Sequence, residues 1–210
     1  AALPEEADAI FPQMGDVRDI SGLPIRSFRN VVIAVCGLGK VNAALAVGRL
    51  VTAQTRMIIM AGTCGRLQPH PGDTYWITEA VQHDFGAARP SGFHAYRGGS
   101  WPMGDSGDTK FGAVADPGLG LPHARIASGD LFVECPNRAA EIATHTGAQL
   151  IDMEEAAMAQ AAHALGTPWA AIKAVTDDAN GESRGDFMAN LQIAARKAGE
   201  AVEPLVGMRD

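Results

Sequence analysis

The chain has 210 residues, of which 47% are hydrophobic, and a formal net charge of −7 at pH 7. This length suffices for one hydrophobic core. The net negative charge, without any cluster of Lys and Arg, excludes nucleic acid and membrane surfaces as expected partners. No apolar run is long enough to span a bilayer, and the first residues lack a signal-peptide pattern. The three cysteines form no paired motif, which favours a reducing compartment and predicts a cytoplasmic protein.

Short apolar runs alternate with helical patterns along the chain. Strands are predicted at residues 31–36, 57–61, 74–80, 125–128, 150–151 and 168–176, and helices at residues 41–52, 137–146, 153–165 and 187–202. Residues 62–65 are expected to close the second strand as a turn. Residues 85–121 are rich in Gly and Pro, lack periodicity, and predict a functional loop or an interface arm. The alternation predicts an α/β sheet covered by helices, in one domain over residues 1–210.

In such sheets ligands bind at the carboxyl ends of strands, and two carboxylates of the sequence stand there. Asp177 ends an apolar run, and a partly desolvated carboxyl group keeps its proton and can protonate a leaving group. Glu154 begins an Ala-rich helix, and its two oxygens suit a pair of vicinal sugar hydroxyls. Capping of the next turn or helix is the alternative role for both. Glu6, near the chain start, is on sequence alone a solvated charge.

Two motifs suggest functions that their spacing does not support. Gly37 to Lys40 resembles a phosphate loop, but Val41 stands where Ser or Thr would bind magnesium, so a tight strand-to-helix turn is predicted. His83 and Asp84 are adjacent, and adjacent residues of a strand point to opposite faces, so direct cooperation is not expected. The six histidines lack metal-ligand spacing, and no metal site is predicted.

Five segments occur together in the order and spacing of one family: residues 37–44, 61–65 and 128–133, Asp152-Met153-Glu154, and Thr176-Asp177. On these segments the chain resembles the nucleoside phosphorylase superfamily, most closely the 5′-methylthioadenosine/S-adenosylhomocysteine nucleosidases. The resemblance implies a three-layer α/β/α domain with a mixed central sheet. It also implies a homodimer in which residues 85–102 help to cover the neighbour's site. The aromatic candidates for this lid, for which local loop packing is the alternative, are Phe93, Tyr96 and Trp101.

The resemblance implies a role for each matching residue. Asp177 is the general acid that protonates N7 of adenine, Glu6 orients or deprotonates the attacking water, and Glu154 binds the ribose hydroxyls. The implied substrate-binding residues are Phe132 stacked on the purine, Val133 reading its edge, Met153 beneath the sugar, Phe187 closing the site, and Thr63, Cys64 and Gly65 along its floor. Lys173 is also an implied substrate-binding residue, but similar nucleosidases carry Arg at this position. Lysine keeps the positive charge but not the bidentate geometry of Arg. Relatives also begin with a strand ahead of the segment that matches residues 2–6, and this sequence lacks it.

Cleavage of a glycosidic C–N bond needs a neutral acid facing the base and a carboxylate near the sugar, and no metal or organic cofactor. Phosphorolysis also needs a cationic clamp. Phosphorylases of this superfamily carry Arg where this chain has Met60, and this difference favours water as the nucleophile. Arg66 could supply a positive charge for phosphate, so a purine nucleoside phosphorylase is the alternative. A non-catalytic nucleoside-binding or storage protein is a third interpretation, and the presence of Asp177 and Glu154 argues against it.

Overall fold

The computed structural model describes residues 1–10 and 16–207. Within these ranges five helices form: α1 (Pro4–Ile10), α2 (Lys40–Leu50), α3 (Pro136–Thr146), α4 (Glu155–Ala164) and α5 (Ser183–Val206). The same ranges hold eleven strands: β1 (Arg18–Ile20), β2 (Leu23–Phe28), β3 (Val31–Ala34), β4 (Ile58–Arg66), β5 (Thr74–Gln82), β6 (Gly86–Arg89), β7 (Gly92–Ala95), β8 (Lys110–Gly112), β9 (His123–Ser128), β10 (Leu150–Asp152) and β11 (Trp169–Asp177). None of the helices described there is long and apolar enough to cross a membrane. One domain over residues 1–210 stays a prediction, since residues 11–15 and 208–210 lie outside the described ranges.

The central sheet is mixed and closes on itself. Its strands lie in the order β11–β4–β10–β9–β5–β8, and β11 also pairs with β5, so that five of them form a ring. β11 and β4 run parallel to each other, as do β10, β9 and β5, and the two sets meet in antiparallel pairs. The strands β1, β2 and β3 form a second sheet. The predicted mixed central sheet is therefore confirmed.

Helices cover both faces of the central sheet. On one face α4 places Ala156 and Ala159 in a buried cluster with β5 and β9, and α2 packs against α4. On the other face α5 places Ala194 and Ala198 in a cluster with Ile172 of β11, and α1 packs against α5. Small side chains on both helices let their axes lie close to the sheet. This arrangement confirms the three-layer α/β/α architecture.

One predicted strand end is wrong, and the error lies close to the candidate site. Residues 62–65 form no turn; instead β4 continues through Arg66, because its backbone pairs with β11 as far as Gly65. Gly62 instead lets the side chain of Glu6 lie close to the strand, since a Cβ at position 62 would lie 2.8 Å from Oε1 of Glu6. The sequence does not separate these two uses of glycine, because both require only the missing side chain.

The Gly- and Pro-rich region holds more regular structure than the sequence predicts. Within residues 85–121, β6 and β7 form a hairpin whose turn includes Gly92 at φ 116°, and β8 pairs with β5 at the edge of the central sheet. The short elements α1, β1 and β2 also have no counterpart among the predicted elements, because periodicity needs a longer window. The other elements agree with prediction apart from a few residues at their ends.

Candidate active site

Four carboxyl groups act on one buried lysine in the part of the sheet where β4 lies between β10 and β11. Lys173 lies on β11 and is 1% exposed. Its Nζ donates to Oδ2 of Asp152 at 2.7 Å and lies 3.6 Å from Oε2 of Glu155. Burial alone lowers the pKa of Lys173, but Asp152, Glu155, Glu154 and Glu6 together raise it well above its ordinary range. Lys173 is therefore charged and compensated within the protein, and its contact with substrate stays a prediction.

Glu154 connects the end of β10 to α4 and is buried. Its Oε1 accepts a hydrogen bond from the backbone N–H of Gly39 at 2.8 Å. Burial raises the pKa of Glu154 to about 7, and the charge of Asp152 adds to this effect, whereas Lys173 and the Gly39 N–H oppose it. The carboxyl group therefore changes its charge near neutral pH. The predicted turn at Gly37 to Lys40 thus supplies a donor to this carboxylate.

Glu6 lies in the first turn of α1 and is only 3% exposed, so the interpretation as a solvated charge is wrong. Its Oε1 accepts from the N–H and hydroxyl of Thr63 at 2.8 and 2.7 Å, and its Oε2 accepts from the N–H groups of Ala2 and Leu3 at 2.9 and 3.1 Å. Burial alone raises the pKa of Glu6, but the charge of Lys173 and the bonds from Thr63 contribute to a net lowering. Glu6 is therefore a carboxylate at neutral pH.

Asp177 ends β11, where a shift of register after Val175 sets it opposite Gly65 of β4. Its Oδ2 accepts from the hydroxyl of Thr176 at 2.8 Å, and its Oδ1 accepts from the N–H of Ala179 at 3.0 Å. Burial raises the pKa of Asp177 above its ordinary value despite these bonds. The bond to Ala179 is the turn-capping role considered from the sequence. The raised pKa means that this group also retains a proton more readily than a solvated carboxyl group.

Arg66, at the end of β4, is paired with aspartates. Its guanidinium lies 3.1 Å from Oδ1 of Asp73 and 3.2 Å from Oδ1 of Asp178. These residues line a cavity of about 340 Å³ between the end of β11 and α5, and Asp177 forms part of its wall. The positive charge of Arg66 is therefore compensated by two carboxylates of the protein.

Two aromatic side chains pack against each other, one from the segment after β9 and one from the start of α5. Phe132, in the segment after β9, and Phe187, in the first turns of α5, pack edge to face with their ring centroids 5.8 Å apart. Phe132 is 47% exposed, so its ring is accessible to a ligand. Val133 is buried in one cluster with Ala179, beyond the end of β11, and Met153 is partly buried. The structure brings Phe132 and Phe187 together, and their contacts with a purine or sugar stay predictions.

The three floor residues of β4 face different surroundings. Thr63 binds Glu6, and Gly65 lies against Asp177, since a Cβ at position 65 would be 3.1 Å from Oδ1 of that aspartate. Cys64 is buried in the core cluster on the α4 face, and burial raises the pKa of its thiol far above its ordinary range. Thr63 and Gly65 therefore border the two carboxyl groups, whereas Cys64 contributes packing, and its substrate contact stays a prediction.

The aromatic residues predicted for a lid differ in their exposure. Tyr96 is buried and donates to the carbonyl oxygen of Gly104, which is the local packing considered as an alternative. Phe93 is partly buried on β7. Trp101 is 75% exposed and is accessible to a partner.

Sequence reasoning missed several members of the cluster. Asp152 accepts hydrogen bonds from Lys173 and from the hydroxyl of Ser128, which itself accepts from the N–H of Ala156. Glu155 is fully buried, and burial raises its pKa well above the ordinary value. The available signal was a lysine inside an apolar strand, which demands a buried countercharge. Across the described ranges no group of three or more His, Cys, Asp or Glu side chains is arranged to hold a metal ion.

The fold is that of the phosphorylase superfamily. The sequence profile of that family matches residues 25–207, and the chain therefore belongs to it. A 5′-methylthioadenosine/S-adenosylhomocysteine nucleosidase of Anoxybacillus flavithermus is 31% identical over 188 residues, which cover 84% of this chain and 80% of the relative. A protein of the same description from Staphylococcus aureus is 27% identical over 98% of this chain and 96% of its own length. The resemblance predicted from the sequence is confirmed.

Solved structures of similar proteins share the fold. A Helicobacter pylori nucleosidase variant with 5′-methylthioadenosine in its active site matches with a TM-score of 0.82 and 20% identity, over 99% of this chain and 96% of the other. A futalosine hydrolase from the same organism matches with a TM-score of 0.81 and 21% identity, over 99% and 95% of the two chains. At these identities the likeness establishes the architecture alone.

Proposed function

We propose that the chain is an N-glycosyl hydrolase that releases adenine from 5′-methylthioadenosine, S-adenosylhomocysteine or a close relative, with water as the nucleophile. The relatives described as nucleosidases support this reaction class. Within the site, one observation carries the proposal: Glu6 and Asp177 lie against Gly62 and Gly65 of the same strand, and burial raises the pKa of Asp177 whereas the pKa of Glu6 is lowered on balance. Carboxyl groups whose pKa values shift in opposite directions suit the separate roles of acid and base.

Departure of the base requires a proton, because the breaking C–N bond leaves negative charge on the purine and positive charge on the sugar. In the proposed reaction Asp177 transfers its proton to N7 as the bond to C1′ breaks, so that adenine leaves as a neutral molecule. Glu154 accepts the ribose hydroxyls, and its negative charge favours the developing sugar cation. The exposed ring of Phe132 stacks on the purine, and Phe187 supports it from α5.

The attacking water is proposed to lie beside Thr63. Four donors already fill the acceptor positions of the Glu6 carboxylate. The hydroxyl of Thr63 donates to Glu6 at 2.7 Å and keeps its own lone pairs for a bond from water. As the water attacks C1′, its proton moves to Thr63 Oγ1 and the hydroxyl proton moves to Glu6. Glu6 thus acts as the base through Thr63.

The residues at positions 60 and 66 favour water over phosphate as the nucleophile. Met60 is buried in the core and carries no charge. Arg66 is occupied by Asp73 and Asp178 at 3.1 and 3.2 Å. A cation held by two carboxylates is a weak phosphate clamp, because the incoming phosphate would have to displace both.

A homodimer in the cytoplasm is also part of the proposal. Trp101 and Met103 are strongly exposed large apolar side chains, which supports contact of this region with a second copy of the chain. The cysteines Cys36, Cys64 and Cys135 are all free, which supports a reducing compartment.

The experiment is a product assay on 5′-methylthioadenosine, S-adenosylhomocysteine, adenosine, inosine and futalosine, each with and without phosphate. Adenine and a free sugar are expected from the first two substrates, whether or not phosphate is present. Asp177→Asn is expected to lower kcat by about a thousandfold and to leave nucleoside binding measurable by calorimetry. Formation of a sugar 1-phosphate would overturn water as the nucleophile. Near-normal turnover by Asp177→Asn would remove Asp177 from the acid role.

A further inference from the structure

Three charged residues from separate parts of the chain form a closed ring of hydrogen bonds. Asp84 follows β5 and is partly buried; its Oδ1 accepts from Nζ of Lys40 at 2.7 Å, and its Oδ2 accepts from the N–H of Asp130 at 3.0 Å. Asp130 Oδ1 in turn accepts from the backbone N–H of Lys40 at 2.8 Å. Asp84 therefore holds the backbone at Asp130 directly and reaches the Lys40 segment through the Lys40 side chain, although the two segments have no covalent connection near this point.

The ring joins the two halves of the proposed substrate site. Gly39, directly before Lys40, donates its N–H to Glu154 on the sugar side. Phe132, two residues after Asp130, lies on the base side. A shift of either backbone segment would therefore change the spacing between the ribose acceptor and the purine-stacking ring.

The segment after β9 cannot shift towards β5 without displacing the side chains of His83 and Asp84. A Cβ at Gly129 would lie 2.3 Å from Nε2 of His83 and 2.9 Å from Oδ2 of Asp84, so the backbone rests directly on both side chains. Burial alone raises the pKa of Asp84, but hydrogen bonds from Lys40 and the Asp130 N–H contribute to a net lowering. Asp84 is thus a charged acceptor at neutral pH, and charged acceptors form the stronger hydrogen bonds.

We propose that Asp84 is a positioning residue that holds the Gly39–Glu154 contact and residues 130–133 at the spacing a nucleoside requires. This inference rests on the function proposed above and adds a residue that lies outside the reacting groups. A nucleoside bridges both halves of the site, so its binding depends on their spacing. In the proposed site free adenine meets Phe132, Asp177 and Phe187 but not Glu154, so its binding does not depend on the spacing between the two halves.

The test is Asp84→Asn, which preserves the volume of the side chain but removes its charge and one acceptor oxygen. The KM for 5′-methylthioadenosine is expected to rise about tenfold, because a charged hydrogen bond is lost. The Ki for adenine as a product inhibitor is expected to change by less than about twofold. Lys40→Met removes the same ion pair, and the double variant is expected to resemble either single variant.

Glu79→Gln is the matched control, because Glu79 lies on β5 and forms comparable ion pairs with Arg125 and Lys110 at 2.7 and 3.1 Å. It is expected to leave both constants unchanged. Equal weakening of adenine and nucleoside by Asp84→Asn would indicate a merely structural role and overturn the inference. Unchanged constants for both ligands would overturn it as well.

The two proposals fail in distinguishable ways. If the wild type cleaves the nucleoside but Asp84→Asn does so with an unchanged KM, only the positioning role is lost. If the wild type binds the nucleoside without cleaving it, the hydrolase proposal fails, and calorimetric Kd values for nucleoside and adenine still decide the role of Asp84. If the wild type binds neither ligand, both proposals are overturned.

Discussion

Replacing Glu154 with glutamine is expected to stabilise the fold at neutral pH and to lower activity strongly. Burial raises the pKa of Glu154 from its ordinary value of 4.5 to about 7. At about 1.4 kcal/mol for each pKa unit, this difference corresponds to roughly 3 kcal/mol of stability. Because the folded-state pKa is the higher one, that stability is fully present below pH 4.5 and is lost as the pH rises to about 7. Above that pH the buried carboxylate is ionised and its desolvation opposes folding.

Urea unfolding of the wild type and Glu154→Gln at a series of pH values measures this effect. Glutamine keeps the size of the side chain and an oxygen for the Gly39 N–H, but it does not titrate. Relative to the wild type, the variant is expected to gain roughly 3 kcal/mol between about pH 4.5 and pH 8. Glu141→Gln is the control, because Glu141 is an exposed carboxylate paired with Arg138, and it is expected to show no such gain.

The same substitution is expected to lower kcat/KM for the nucleoside by at least about a hundredfold, since the ribose hydroxyls lose a charged acceptor. A stability difference that stays constant between pH 4.5 and 8 would refute the argument that burial raises the pKa of Glu154. An unchanged kcat/KM would refute its role in sugar binding. The two results are independent, because one concerns the empty protein and the other its complex.

Two further substitutions test the cluster. Lys173→Met is expected to lower the free energy of unfolding, measured in urea, by about 3 kcal/mol or more, because Asp152 loses its buried partner; an unchanged unfolding midpoint would contradict this. Gly62→Ala is expected to lower kcat/KM about tenfold, because its Cβ would lie 2.8 Å from Oε1 of Glu6. Gly112→Ala, in a strand with open space around it, is the control for steady-state assays, and equal values for the two alanine variants would count against the argument.

Two candidate residues could be found from local sequence. Asp177 is a carboxylate at the end of an apolar run, and Glu154 is a carboxylate between a strand and an Ala-rich helix. Both positions follow from hydrophobic periodicity, and the structure sets both residues at the ends of the expected elements. Their partners were not predictable in the same way. Gly39 donates to Glu154 from 115 residues away, and no local pattern encodes such a contact.

Glu6 illustrates the opposite case. From its position near the chain start it is a solvated charge, and only the family resemblance gives it a catalytic role. In the structure it is buried and accepts two bonds from Thr63, which is 57 residues away in sequence. The carboxyl end of β4 was misjudged for a related reason. Whether Gly62 begins a turn or makes room for Glu6 depends on pairing with β11, more than 100 residues later.

The sequence by itself determined the class of fold, the phosphorylase superfamily and the residue types available for acid–base chemistry, because periodicity and short motifs are local properties. Only the tertiary structure decided in which direction the pKa of each group is shifted. The pKa of Asp177 is raised and that of Glu6 is lowered, although both are buried carboxyl groups. The difference arises because Glu6 receives the charge of Lys173 and the bonds of Thr63, whereas burial dominates at Asp177. Such surroundings are assembled from distant segments and exist only after folding.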